Sequence, residues 1–218
     1  MAVDEKLVEL IVRQIVAQRQ SGAPAGLPPI PVGVSARHIH LTREHMDILF
    51  GKGSELHNIK ELMGGQFAAQ EQVTILGPSL RPIEKVRVLG PLRKQTQIEI
   101  SRTDTFVLKV RPPVRPSGEI RGSAGLTIVG PCGVVIVEEG CIIANRHIHM
   151  SPEDARLYGV RDGDLVECLA EGERRTMLYD VQIRVAPSFT LEMHIDTDDA
   201  NAIGFTGKPQ VTIVKRGG

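Results

Sequence analysis

Two stretches decide how this chain folds: V-S-A-R-H-I-H-L-T-R-E-H-M at residues 34–46 and I-I-A-N-R-H-I-H-M-S-P-E-D-A at residues 142–155. They share an identical Arg-His-Ile-His core at an offset of 109 residues, and each is followed by a Thr or Ser able to begin a helix. A second, weaker match pairs I-E-I-S-R-T-D-T (98–105) with M-H-I-D-T-D-D-A (193–200) and sets Glu99 opposite His194 at an offset of 95. The two matches bracket each half, and the difference of 14 points to a longer middle in the first half. An internal duplication follows, with two similar β units at about 32–125 and 126–218.

Between these markers, short Val/Ile/Leu-rich segments recur, bounded by Gly, Pro or charged turns. They fall at 72–77, 84–89, 96–100, 105–110, 126–129, 133–137, 141–145, 164–169, 176–185, 190–195 and 210–215. Helix starts are few: one at Thr42, and one at Ser151, where Pro152 suits the first helical position and Asp154 an acidic first turn. The pattern predicts a mainly β fold, two similar β-barrel domains capped by short helices. The N-terminal segment 1–20 differs. Val3, Leu7, Ile11 and Ile15 recur every four residues with Val8, Val12 and Val16 beside them, an amphipathic helix. A linker at 21–31 with four Pro and two Gly follows it. A helix tethered in this way is either a docking peptide for a partner or an element that folds back to cap a domain.

On a strand the side-chain period is two, so His38 and His40 point to one face while Ile39 points to the other, and the same holds for His147 and His149. Two imidazoles on one face form a claw for a borderline cation such as Zn²⁺. The second repeat match supplies further donors at equivalent places, Glu99 and His194. Glu99 alternates with Ile98 and Ile100, and a carboxylate facing inward needs a cation or donor. The candidate set is therefore His38, His40, Glu99, His147, His149 and His194, enough for two metals with open positions. His45 and His57 have no repeat counterpart and read as surface or helix-packing residues. Arg37 and Arg146 point away from the claw face and read as ion-pair or anion-binding residues. Arg93, on the Gly90-Pro91-Leu92-Arg93 turn, is suited to bidentate binding of phosphate or carboxylate.

Composition narrows the function classes. The 26 Lys and Arg balance 26 Asp and Glu, which argues against a binding mode dominated by nucleic-acid phosphate. Aromatics make up 3% of the chain with no Trp, too few for the stacking platforms of single-strand binders. No apolar run approaches the roughly 20 residues that cross a bilayer, and the start lacks the order of a signal peptide. Cys132, Cys141 and Cys168 form no C-x-x-C pair and lie in strand-like apolar segments, where they read as core residues of a cytoplasmic protein. Two other readings compete. His38-Ile39-His40-Leu41-Thr42-Arg43-Glu44 superficially fits a cupin-type H-x-H-x₃-E motif, although Glu44 falls in the helix that begins at Thr42. A zinc-stapled structural component of an assembly is the second, and its sites would be closed by four ligands.

The doubled R-H-I-H, the stretch K-V-R-V-L-G-P-L-R-K-Q-T-Q-I-E-I-S-R-T-D (85–104) and the late H-I-D-T-D-D-A-N (194–201) resemble PduL-type phosphate propanoyltransferases, phosphotransacylases associated with bacterial microcompartments. The resemblance runs from about Val32 to the C-terminus. It implies two β-barrels with a di-zinc site between them, one zinc on His38, His40 and Glu99 and the other on Glu99, His147, His149 and His194. It makes Arg93 the phosphate-organising residue and places Ser35, Lys60, Arg87, Leu89 and Asn201 along the coenzyme A site. The implied reaction is acyl-CoA (propanoyl or acetyl) plus phosphate giving acyl phosphate plus CoA. A homo-oligomer in a microcompartment lumen, with residues 2–19 docking on shell or core proteins, completes the expectation.

Overall fold

The computed structural model describes residues 27–214, so the helix expected at 2–19 and most of the linker lie outside the described residues. In chain order the elements are β1 (Ile30–Ser35), β2 (His38–His40), α1 (Arg43–Phe50), β3 (Asn58–Glu61), β4 (Phe67–Leu76), β5 (Pro82–Gly90), β6 (Gln97–Glu99) and α2 (Arg102–Leu108). There follow β7 (Val114–Arg115), β8 (Ala124–Val129), β9 (Val134–Ala144), β10 (His147–Met150), α3 (Pro152–Tyr158), β11 (Leu165–Ala170), β12 (Thr176–Val185), β13 (Glu192–Asp196), α4 (Thr197–Ile203) and β14 (Gln210–Val214). The fold is mainly β with short helices, as the strand spacing implies.

The strands close two six-stranded barrels. One is the ring β4-β5-β2-β6-β9-β8, returning to β4. The other is β1-β13-β10-β12-β11-β14. The duplication is written in the pairing. Each R-H-I-H strand runs parallel to one neighbour (β2 with β5, β10 with β12) and antiparallel to the other (β2 with β6, β10 with β13). Among the described residues, one compact unit holds 34–145 with 195–201, and the second holds 27–33, 146–194 and 202–214. The strand that leads into each R-H-I-H copy belongs to the ring of the other copy: β1 pairs with β14, and β9 pairs with β6 and β8.

Alternation sorts the side chains. Ile39 stands in register with Val88 and Ile98, and all three are buried in one hydrophobic core. In the second barrel Ile148 stands in register with Ile183 and Met193, all fully buried. Each such side chain taken from water contributes about 1.5–3 kcal/mol. The histidines on either side of Ile39 and Ile148 therefore face the opposite way, out of the barrel interior.

Helix capping follows the sequence signals. Thr42 accepts from the His45 N–H, and Ser151 forms a capping box with Asp154. The strand expected at 105–110 is instead part of α2. Ser101 accepts from the Asp104 N–H at 3.4 Å while the Asp104 carboxylate accepts from the Ser101 N–H at 3.1 Å. That box, with Asp104, Thr105 and Leu108 buried at helical spacing, outweighs the β propensity of Thr105-Phe106-Val107. Residues 133–137 and 141–145, expected as two strands, are the single strand β9, because Gly140 continues the chain with its N–H donating to Ser123 Oγ at 2.8 Å. Cys141 and Cys168 are buried, but Cys132 is exposed at the β8–β9 turn, contrary to the core reading. No helix among the described residues is long and apolar enough to cross a membrane.

Candidate metal centre and active site

The register of the first barrel brings three sequence-nominated donors together. His38 on β2 lies opposite Glu99 on β6, and His40 lies opposite Gln97. The His38 Nε2 is 3.4 Å from a Glu99 oxygen, while its Nδ1 faces the Ala36 carbonyl at 2.9 Å. His38, His40 and Glu99 place one donor atom each within 4.8 Å of one another. The second barrel repeats the arrangement. His147 lies opposite His194, and His147, His149 and His194 form the second group within the same limit. Their ring centroids are 4.7–5.2 Å apart. Phe189 lies against His149 with centroids at 4.2 Å.

These residues fit a divalent ion. His40 Nδ1 and His149 Nδ1, at equivalent places in the two repeats, are buried and have no hydrogen-bond partner in the protein. An orphaned buried acceptor is costly, and the same orphan twice in a duplicated site marks the place of a ligand. The electrostatics keep His40, His149 and the Glu99 carboxylate in a metal-binding form. Burial, then the neighbouring His38 and Arg93, pushes His40 down to about 3. Burial, then His147 and His194, pushes His149 down to about 3 as well. Burial alone would raise the Glu99 carboxyl, but the charge and hydrogen bond of His38 outweigh it and hold the group well below the usual carboxylate range. His38 is raised in turn, since Glu99 outweighs its own desolvation.

Arg93 follows β5 on a turn anchored by its own N–H to the Leu41 carbonyl at 2.8 Å. Gly90 begins that turn, and a Cβ there would lie 2.1 Å from the Phe67 ring, so only glycine lets the turn pack. The Arg93 guanidinium donates to Ser117 Oγ at 3.3 Å and Gln66 Oε1 at 3.1 Å. Gln97 Nε2 reaches Glu99 Oε1 at 2.6 Å and Ser117 Oγ at 2.8 Å. Ser117 Oγ thus accepts from both Arg93 and Gln97, and Gln97 in turn donates to Glu99, which links Arg93 to Glu99. Sequence reasoning missed Ser117, Gln97 and Gln66. Gln97 had a signal, lying two before Glu99 on one strand face, whereas Ser117 comes from a loop with no repeat counterpart.

The other nominated residues divide. Lys60 on β3 stands in register with Ala68, and Ala68 with Leu89 on β5, while Arg87 lies two residues before Leu89. Lys60, Arg87 and Leu89 thus share one sheet face, and Arg87 stands in register with His38. Arg87 Nη1 donates to the Ala69 and Gln70 carbonyls, both at 3.0 Å. Ser35 ends β1, and Asn201 is exposed on α4. Arg37 binds Asp104 (Nη2–Oδ1 2.9 Å), the ion-pair role expected from its position. His45 contacts Thr96 and His57 contacts Glu71. Glu44 is exposed in the first turn of α1, outside both donor groups, so the cupin-type motif is not assembled. Each group offers three donors, the number of protein ligands typical of catalytic rather than structural zinc sites.

Two barrels from one duplication, each carrying three metal-type donors on the face away from its interior, define a duplicated β-barrel protein with paired donor sites. The family model described as phosphate propanoyltransferase matches residues 31–206. A phosphate propanoyltransferase of Lachnoclostridium phytofermentans is 55% identical, covering 97% of this chain and 100% of its own length. One from Thermotoga maritima is 58% identical over 80% of this chain and 84% of its own, and one from Rhodobacter capsulatus is 47% identical over 97% and 98%. The chain belongs to the phosphate propanoyltransferase family and is an acyltransferase.

Proposed function

We propose that this enzyme moves an acyl group between coenzyme A and inorganic phosphate, with propanoyl-CoA or acetyl-CoA as substrate, and that its two donor groups hold two zinc ions per chain. The observation that carries the reading is the doubled three-donor group, with one orphaned histidine nitrogen in each copy. His38, His40 and Glu99 hold one ion, and His147, His149 and His194 the other. Bound zinc supplies Lewis acidity toward the thioester carbonyl and affinity for the departing thiolate.

The chain's own residues perform the rest. Arg93 binds phosphate and aims an oxygen at the acyl carbon, and Gln66 and Ser117 hold the guanidinium so that little ordering remains at the moment of reaction. Attack is direct: a C–O bond forms, the C–S bond breaks, and the electron pair leaves on sulfur. This direct attack needs no cysteine nucleophile. Burial pushes the Cys141 and Cys168 thiols up to about 12, which keeps them protonated near neutral pH. Lys60, Arg87 and Leu89 receive coenzyme A on their shared face, cations toward its phosphates and Leu89 toward its apolar arm, with Ser35 and Asn201 completing the site. Residues 2–19 direct the enzyme into a microcompartment lumen.

The test runs the reaction in the synthetic direction. Propanoyl phosphate and CoA given to the zinc-loaded enzyme should form thioester, followed by its ultraviolet absorbance. No thioester from protein shown to carry two zinc ions would overturn the reading.

A further inference from the structure

The third donor differs between the repeats, a carboxylate at Glu99 and an imidazole at His194. The residue two positions earlier on the same strand face differs with it: Gln97 precedes Glu99, and Glu192 precedes His194. These two are structurally equivalent, since Gln97 lies opposite His40 and Glu192 lies opposite His149. Each touches the donor beside it. Gln97 Nε2 donates to Glu99 Oε1 at 2.6 Å, and Glu192 Oε2 lies 3.1 Å from His194 Nε2.

We infer that Gln97 and Glu192 are a duplicated pair of positioning residues for metal binding, each matched to the ligand it supports. The inference rests on the zinc reading above. A carboxylate ligand needs a donor to hold it, and the Gln97 amide supplies one. The amide cannot turn over, because its Oε1 already accepts the Gly118 N–H at 2.7 Å and its Nε2 also reaches Ser117. An imidazole ligand needs an acceptor on the ring nitrogen that does not hold the ion, and the Glu192 carboxylate beside Nε2 fills that role with Nδ1 as the ligating atom. Glu192 stays outside the group of mutually close donor atoms, so it supports His194 rather than joining the site. The barrel makes room for it: a Cβ at Gly33, on the neighbouring strand β1, would lie 3.1 Å from the Glu192 carboxyl. When the ligand changed from one repeat to the other, the polarity of its support changed too.

The experiment measures zinc affinity of the full chain by competition with a chromogenic chelator, alongside the melting temperature of the metal-free protein. Wild type should bind two ions. Glu192→Ala and Gln97→Ala should each weaken one of the two sites roughly 10–100-fold while leaving the other unchanged. The isosteric Glu192→Gln and Gln97→Glu guard against misfolding. Glu192→Gln should fall between wild type and Glu192→Ala, and Gln97→Glu should bind no better than Gln97→Ala because it sets two carboxylates together. Two wild-type affinities in all four variants would overturn the inference and leave the zinc reading standing. Fewer than two ions on wild type would overturn both.

Discussion

Removing the Asp104 side chain tests how the first histidine claw is anchored. Asp104 is 3% exposed and does two jobs. It closes the capping box of α2 with Ser101, and it accepts from Arg37 at 3.0 and 2.9 Å. Arg37 immediately precedes His38, so the pair ties the first claw to the helix that follows Glu99. Loss of the reciprocal Asp104 bond to the Ser101 N–H, with Ser101 still in place as the N-cap, costs about 0.5–1.5 kcal/mol. Loss of a charge-assisted bond costs about 1.5–3 kcal/mol, less here because the Arg37 side chain is 43% exposed and solvent screens it. Asp104→Ala should therefore cost about 2–4 kcal/mol, or roughly 5–12 °C in melting temperature for a chain of this size. Asp104→Asn keeps an oxygen for the cap and should cost about half as much. Urea unfolding followed by circular dichroism reads both. A loss under about 1 kcal/mol in Asp104→Ala, or equal losses in both variants, would refute this division of labour.

Other outcomes follow from the same geometry. Arg93→Ala should cut phosphate-dependent turnover roughly a hundredfold or more while zinc content stays at the wild-type level; retained turnover would remove Arg93 from its role. Ile148→Ala and its counterpart Ile39→Ala should each cost about 2–5 kcal/mol in urea unfolding, because both fully buried side chains fill barrel interiors. The metal-free protein should lose stability as pH falls from 6.5 toward 3. Over that window the unfolded chain takes up protons that His40 and His149, both held at about 3, refuse in the fold. Each histidine contributes up to about 1.4 kcal/mol per pH unit, and the stability from the raised His38 is already complete below 6.5. A urea midpoint at pH 5 equal to or above that at pH 7, measured with chelator, would contradict the assignment.

The fold class was legible because R-H-I-H is a strand signal that states its own faces. Apolar Ile39 and Ile148 had to go inward, and that sent four histidines the other way. The repeat then found Glu99 and His194, which share no residue type and could be matched only by position. Local chemistry misled where two signals overlapped. The run Thr105-Phe106-Val107-Leu108 has strand character, yet Ser101 and Asp104 cap it as a helix. The assignment of strands to each ring was not legible, since β9 leads straight into the second R-H-I-H but pairs with β6 and β8. Ser117 stayed hidden because a loop serine becomes informative only when Arg93 and Gln97 converge on it.

The most direct test of the central claim is release of free CoA thiol from propanoyl-CoA by the purified enzyme, with and without phosphate, before and after chelation and after return of zinc. The account predicts release that requires phosphate, disappears on chelation and returns with zinc. Phosphate-dependent release that persists in fully metal-free protein would contradict the role given to the two histidine groups, and no release from zinc-loaded protein would contradict the transferase reading itself.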